Sequence, residues 1–211
     1  MARLGKEFYD RDTLTVAREL VGCYLVRILP DGTPLVCRLT ETEAYVGAVD
    51  KACHAYGGRR TARTETLYAA PGTTYVYFIY GMHHCLNLVT EPEGVASAVL
   101  IRGAVPVEGL DEIARRRFGT DYAALTPARR RALLNGPGKL CQGLGITRED
   151  NGLLVDNPAL YLCDALPSHP DIRSGLSISA GPRIGIDYAQ EAADFPWRFY
   201  VADFPASPGR K

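Results

Sequence analysis

The chain has 211 residues, and its 24 Lys and Arg balance its 24 Asp and Glu to a formal net charge of zero. That length buries a substantial core and favours one domain, while no apolar stretch reaches the roughly 18 residues of a membrane helix. Charges at Arg3, Lys6, Glu7, Asp10, Arg11, Asp12, Arg18 and Glu19 interrupt the apolar centre that a secretory signal needs.

In chain order, Asp12 caps a helix that runs to Leu20 and stops at Gly22. Residues 20–28 and 35–45 read as strands joined by the turn Pro30-Asp31-Gly32. A period of two puts Leu35, Cys37, Leu39, Glu41, Glu43 and Tyr45 on one face. The two glutamates then continue an apolar face at a cavity or rim, where an ionised carboxylate needs a cation or hydrogen-bond donors. Residues 46–72 are a long polar loop with a helical turn near 65–68, and loops of that length are usually functional. Residues 75–79 are strongly β-prone. The turn Tyr80-Gly81-Met82 and a strand over 84–90 complete a protruding hairpin that displays Tyr80.

A further strand covers 96–102 and a helix 106–118. Thr126 as N-cap and Pro127 at the first helical position open another helix. Asn135-Gly136-Pro137-Gly138 breaks it, and a helix resumes over 139–144. The last sixty residues return to short strands near 153–155, 160–163, 176–180, 183–186 and 198–201, and the tail frays from about Pro205. Strands without regular β-α alternation argue against a doubly wound parallel sheet. The expected class is α+β: a single mixed domain over residues 1–211, with a mainly antiparallel sheet flanked by a few helices.

Six cysteines, Cys23, Cys37, Cys53, Cys85, Cys141 and Cys163, are scattered without a C-x-x-C pair. A reduced intracellular (cytoplasmic) protein with buried thiols fits better than a disulfide framework. The zero net charge hides an uneven distribution. Residues 1–101 carry 10 basic and 11 acidic side chains, 102–148 carry 9 and 4, and 149–211 carry 5 and 9. The central excess includes Arg115-Arg116-Arg117 and Arg129-Arg130-Arg131. It is either a solvated helix face or, if it lies beside the tyrosine segment, a phosphate footprint.

The chemistry concentrates between Glu41 and Tyr80, which hold six of the twelve tyrosines. Glu43 with Arg102 is the sharpest candidate. A buried Glu paired with Arg stays ionised and can activate water, or it simply closes the sheet as an ion pair. Tyr45, Tyr75, Tyr77 and Tyr80 form either a stacking cage for a planar base or an ordinary half-buried aromatic strand. Tyr80, at a hairpin tip, suits a wedge or an interface. Gly57-Gly58-Arg59-Arg60 is a phosphate-seeking turn or a plain surface turn, with a further cation at Arg63. His54, His83 and His84 with Cys53 and Cys85 have poor zinc spacing, so no metal or other cofactor is expected. Lys139 after Gly-Pro-Gly would need an apolar pocket and a lowered pKa to act as a Schiff-base nucleophile. An exposed lysine is the plainer reading.

Taken together, ETEAYVG at 41–47, the loop 54–63, PGTTYVYFIYGM at 71–82, Asn87, Arg102, GPGKLCQ at 136–142 and RIGI at 183–186 resemble the alkyladenine (3-methyladenine, or methylpurine) DNA glycosylase family, from about Gly22 to Val201. The resemblance implies a curved antiparallel sheet in one α/β domain. It implies excision of alkylated or deaminated purines, such as 3-methyladenine, 7-methylguanine, hypoxanthine and ethenoadenine, from double-stranded DNA. It assigns Glu43 as general base, with Arg102 and the main-chain carbonyl of Ile184 holding the attacking water. It places Tyr45 and Tyr77 around the flipped base, His54 at its edge and Asn87 where a guanine 2-amino group would clash. Tyr80 fills the vacated space in the minor groove, and Arg59 and Met82 contact DNA. His83-His84 stands where an aromatic pair is expected, and Ile184 where valine is. The expected enzyme is monomeric, has no membrane partner, and leaves an abasic site without cutting the strand. Two rival readings are a non-catalytic domain that binds single strands through its tyrosines, and a hydrolase of free nucleosides or nucleotides.

Overall fold

The computed structural model of the chain describes residues 3–79, 81–166 and 175–202. Tyr80 and the tail from Pro205 lie outside the described residues. The first helices are α1 (Lys6–Tyr9) and α2 (Thr13–Leu20). The strands follow as β1 (Tyr24–Ile28), β2 (Pro34–Tyr45), β3 (Thr74–Ile79), β4 (His83–Thr90) and β5 (Ser97–Glu108). Then come α3 (Leu110–Phe118), α4 (Pro127–Arg131), α5 (Pro137–Leu144), β6 (Leu160–Cys163), β7 (Ile178–Gly181) and β8 (Arg198–Val201). All strands join one curved sheet in the order β3-β4-β5-β2-β1-β6, with β8 on the second half of β2 and β7 beyond it. Every pairing is antiparallel, so the fold is α+β.

Several local signals act as their residues dictate. The Asp12 carboxylate accepts from Thr15 N at 2.8 Å and starts α2; the Thr126 hydroxyl accepts from Arg129 N and starts α4, each satisfying an orphan N–H of the first turn. In α3, Asp111 and Glu112 sit in the first turn and Arg115, Arg116 and Arg117 in the last, the arrangement that opposes the helix dipole favourably. Leu20, Leu25, Leu35, Leu39, Leu86, Ile101, Ile113 and Leu140 are among the buried residues of the main core, between one face of the sheet and helices α2, α3 and α5.

Four expectations give way to tertiary pairing. The first strand starts at Tyr24, because Val21 to Cys23 close the end of α2. The strand expected to stop at Arg102 continues to Glu108, and the helix begins at Leu110. Pro106 stands in register with Cys37 of β2, so ladder partners override its tendency to start a helix. Gly109 makes the turn with φ +73, and a Cβ there would meet Leu35 Cδ2 at 2.5 Å. Residues 153–155 and 183–186 are not strands. Leu153 is fixed by hydrogen bonds to Thr74, and Arg183 by side-chain bonds rather than a ladder.

The fourth correction concerns β2 itself. Leu35, Cys37 and Leu39 face the main core, but so do Thr42, whose hydroxyl donates to Ala17 O at 2.7 Å, and Ala44. Glu41, Glu43 and Tyr45 therefore point to the other face. Register explains it: Leu39 pairs with Ala104, Glu41 with Gly103 and Thr42 with Ile101. Thr40 is the extra residue on β2 and Arg102 the extra residue on β5. Each bulge shifts the alternation by one and so turns the following side chains over.

Candidate active site

The paired bulges bring together the charges of the site. Arg102 Nε lies 3.3 Å from Glu41 Oε1 and 3.3 Å from Glu43 Oε1, and its Nη1 is 3.5 Å from Glu43 Oε2. Arg198 Nη1 holds Glu41 from the other side at 3.1 Å. Glu43 is wholly buried. It accepts two shorter bonds, from Ile184 N at 2.7 Å and from the Tyr45 hydroxyl at 2.8 Å. Burial pushes the Glu43 carboxyl above the usual carboxylate range; Arg102, Ile184 and Tyr45 oppose the rise and Glu41 adds to it. A carboxylate with a raised pKa, still held by donors, is a stronger base than a free one.

In front of this cluster lies a cavity of about 620 Å³, in the size range of small-ligand sites. Alternation along the strands supplies its walls: Tyr75 and Tyr77 from β3, Cys85 and Asn87 from β4, and Ala98, Leu100 and Arg102 from β5. Tyr45, His54, Arg63, Pro137 and Ile184 complete the side nearest the glutamates. Glu43 is not in the wall. It sits behind Tyr45, Arg102 and Ile184, which are.

The aromatic groups differ in role. Tyr75 is buried, whereas Tyr45 and Tyr77 are partly open. Tyr77 meets the His54 ring edge-on at 4.7 Å. His54 Nδ1 lies 2.9 Å from the Tyr75 hydroxyl, and its Nε2 lies 3.4 Å from Arg63 Nη2. A guanidinium can only donate, so Nε2 keeps its lone pair and Nδ1 carries the proton. Burial, with Arg63 beside it, pushes the imidazole down to about 4, which leaves His54 neutral near pH 7. Asn87 is fixed by its Nδ2 donating to Tyr75 O at 3.0 Å. Burial also pushes the Cys85 thiol up to about 11, so this cavity thiol is a poor nucleophile.

A second buried ion pair supports the wall from behind. Arg183 Nη1 and Nη2 reach Asp50 at 2.5 and 2.8 Å, with neither side chain exposed. Arg183 also donates to Ala44 O and Ala192 O, and its guanidinium lies 4.7 Å from the Tyr45 ring centroid. Asp50 in turn accepts from Val46 N and Ala52 N. Residues 44–52, 183–184 and 192 are thus tied at one point, which fixes both the Tyr45 ring and the Ile184 amide that touch Glu43.

Seven of the expected site residues therefore converge: Glu43, Arg102, Ile184, Tyr45, His54, Tyr77 and Asn87. Ile184 reaches Glu43 through its main-chain N–H. Arg59 and Met82 are exposed, Met82 at 68%, and do not line the cavity. Tyr80 lies outside the described residues. The arginine triplets are mostly engaged locally: Arg115 with Asp121, Arg116 with Glu112, Arg117 with Leu133 O, and Arg130 with Ala123 O. Lys139 donates to Asn135, and partial burial with Arg117 lowers its pKa, but it is outside the cavity wall. Among the described residues no cluster of His, Cys, Asp and Glu is placed to hold a metal ion. His84 packs on Phe78, and a Cβ at Gly138 would touch His83 at 3.0 Å, so α5 is seated directly on the hairpin. The Asp50–Arg183 clamp carries no sequence signal, since its members are 133 residues apart.

A sequence profile of the family described as "Methylpurine-DNA glycosylase (MPG)" matches residues 7–205. A Clostridium perfringens protein named "Putative 3-methyladenine DNA glycosylase" is 52% identical over 202 residues, covering 95% of this chain and 96% of that one. Proteins of the same name from Desulfitobacterium hafniense and Bacillus thuringiensis are 48% and 49% identical, covering 96% and 94% of this chain and 97% and 95% of theirs.

Proposed function

The chain belongs to the methylpurine-DNA glycosylase family, and from that premise we propose that it hydrolyses the N-glycosidic bond of alkylated or deaminated purines flipped out of duplex DNA, with Glu43 as general base. The observation that carries the reading is the buried Glu43 carboxylate, held by Ile184, Tyr45 and Arg102 directly behind an aromatic cavity. A base inside the helical stack is out of reach, so the nucleotide is extruded at a cost on the order of a few kcal/mol, least for damaged or mispaired bases. Stacking on Tyr45 and Tyr77 offsets this by roughly 1–3 kcal/mol per base. Electron-rich rings hold a cationic methylpurine more firmly still.

The long Arg102 contacts suggest where water enters. Charge-assisted N–H···O bonds are usually about 2.7–2.9 Å, whereas Arg102 stands 3.3–3.5 Å from Glu43. A water that slips between them is oriented by the guanidinium and gives its proton to Glu43 as its oxygen attacks C1′. The Ile184 carbonyl is the further acceptor that would steady it. An N-alkylated purine leaves as a neutral base, so one carboxylate suffices where ordinary glycosidases use two. Among the described residues the cavity wall holds no lysine, which supports hydrolysis by water that leaves an abasic site in an intact strand over a Schiff-base route.

Single-turnover excision from duplexes that each carry one modified purine tests this reading. Glu43→Gln is expected to keep lesion-duplex binding and lose about 10²- to 10⁴-fold in rate. Turnover like the wild type would remove the general-base assignment. Equal competition by undamaged single strands would favour a binding domain, and base release from mononucleosides a nucleoside hydrolase.

A further inference from the structure

Arg63 stands apart from the other cations of the site. Its neighbour Arg60 pairs with Glu65 at 2.7 Å, but Arg63 has no ion-pair partner among the described residues. It lines the cavity, and a hydrogen-bonded turn presents it there: Thr64 N and Glu65 N both donate to Thr61 O, and the buried Thr64 hydroxyl donates to Arg59 O. Among the described residues its guanidinium faces neutral acceptors only, His54 Nε2 at 3.4 Å and the Tyr75 hydroxyl, and it lies 5.6 Å from the Tyr77 ring centroid. A guanidinium has five N–H donors, and the hydrogen bond to His54 occupies one. Both ring nitrogens of His54 are engaged, by Tyr75 and by Arg63. The unused donors at that edge of the cavity therefore belong to Arg63.

We propose that Arg63 is a further specificity-determining residue, whose free N–H groups bind the acceptor edge of a neutral purine lesion and stabilise the negative charge that this base gains on departure. The inference rests on the glycosylase reading. When the C1′–N9 bond of a neutral purine breaks, both electrons go to the base, which leaves as an anion. Water supplies the new C1′–O bond and loses its proton to Glu43. Arg63 donates hydrogen bonds to the anion but keeps its own proton, and solvent protonates the free base afterwards. An N-alkylated purinium leaves as a neutral base. It gains nothing from Arg63 at that stage, and in the ground state its charge is repelled. One exposed cation at the rim thus separates deaminated purines from methylated ones.

The test is single-turnover excision by the full chain, as wild type, Arg63→Gln and Arg63→Lys, on duplexes with one hypoxanthine or one 7-methylguanine. Arg63 is exposed, so its variants are expected to fold. Arg63→Gln should lose about 10- to 100-fold on hypoxanthine and change by less than about threefold on 7-methylguanine. Arg63→Lys, which keeps the charge but not the fork, should recover part of the loss. In parallel, the His54 ring of Arg63→Gln should titrate at a higher pH than in the wild type when followed by NMR, because one cause of its depression is gone. Equal losses on both lesions, or none on hypoxanthine, would overturn the role of Arg63 while leaving the glycosylase reading intact. A wild type that excises neither base would overturn both.

Discussion

Two arginine–carboxylate clusters adjoin the aromatic cavity, and they are built differently. Asp50–Arg183 is closed: contacts of 2.5 and 2.8 Å, two further carbonyl acceptors, and an aromatic ring beside the guanidinium. Glu41–Glu43–Arg102 is open: its arginine is shared between two carboxylates at 3.3–3.5 Å. A closed pair resists rearrangement, while long contacts in a buried site can be exchanged for water and substrate. On the proposed reading, the same kinds of residue fasten the wall in one place and activate water in the other.

The largest effect that could break this contrast is on stability. Asp50→Asn leaves the buried Arg183 charge uncompensated and should cost about 3–5 kcal/mol in urea unfolding. Glu43→Gln should cost far less, and equal destabilisation by both would erase the distinction. A smaller effect is read from pH. Because the folded Glu43 carboxyl lies above its ordinary value of 4.5, its contribution is complete below that value and is lost as pH rises through the folded pKa. Glu43→Gln should match the wild type in acid and become the more stable protein as pH rises, in thermal melts between about pH 4 and pH 8. A constant difference across that range would mean that the carboxyl is not raised. The smallest effect tunes the open cluster. Tyr45→Phe keeps the ring over Arg183 but removes the donor to Glu43. Excision should fall about tenfold, the worth of one such hydrogen bond, and its acid limb should move to higher pH. An unchanged rate and limb would take the hydroxyl out of the mechanism.

Some of this was legible in the residues. The caps at Asp12 and Thr126, the hairpin formed by β3 and β4, and the crowding of tyrosines beside Glu43 depend on neighbours a few positions away. Arg102 was legible as a partner for Glu43 because a strand ended near a cation. Its way of getting there was not: it is the bulged residue of a strand that runs six positions further. Reading β2 with an unbroken period of two put both glutamates on the face of Leu35, Cys37 and Leu39, at a cavity or rim, because a bulge follows from the register of a distant strand. Arg63 looked like one cation of a basic turn until folding set it against His54 and Tyr75.

By itself the sequence determined the kind of sheet, the caps and turns, and the set of groups available for chemistry, since these follow from local propensity and composition. The tertiary structure decided which face the glutamates occupy, which arginine makes long contacts and which short ones, and that Glu43 lies behind its cavity rather than in it. Those outcomes depend on pairings across 59 to 141 positions, where desolvation and register, rather than neighbouring residues, select the partners.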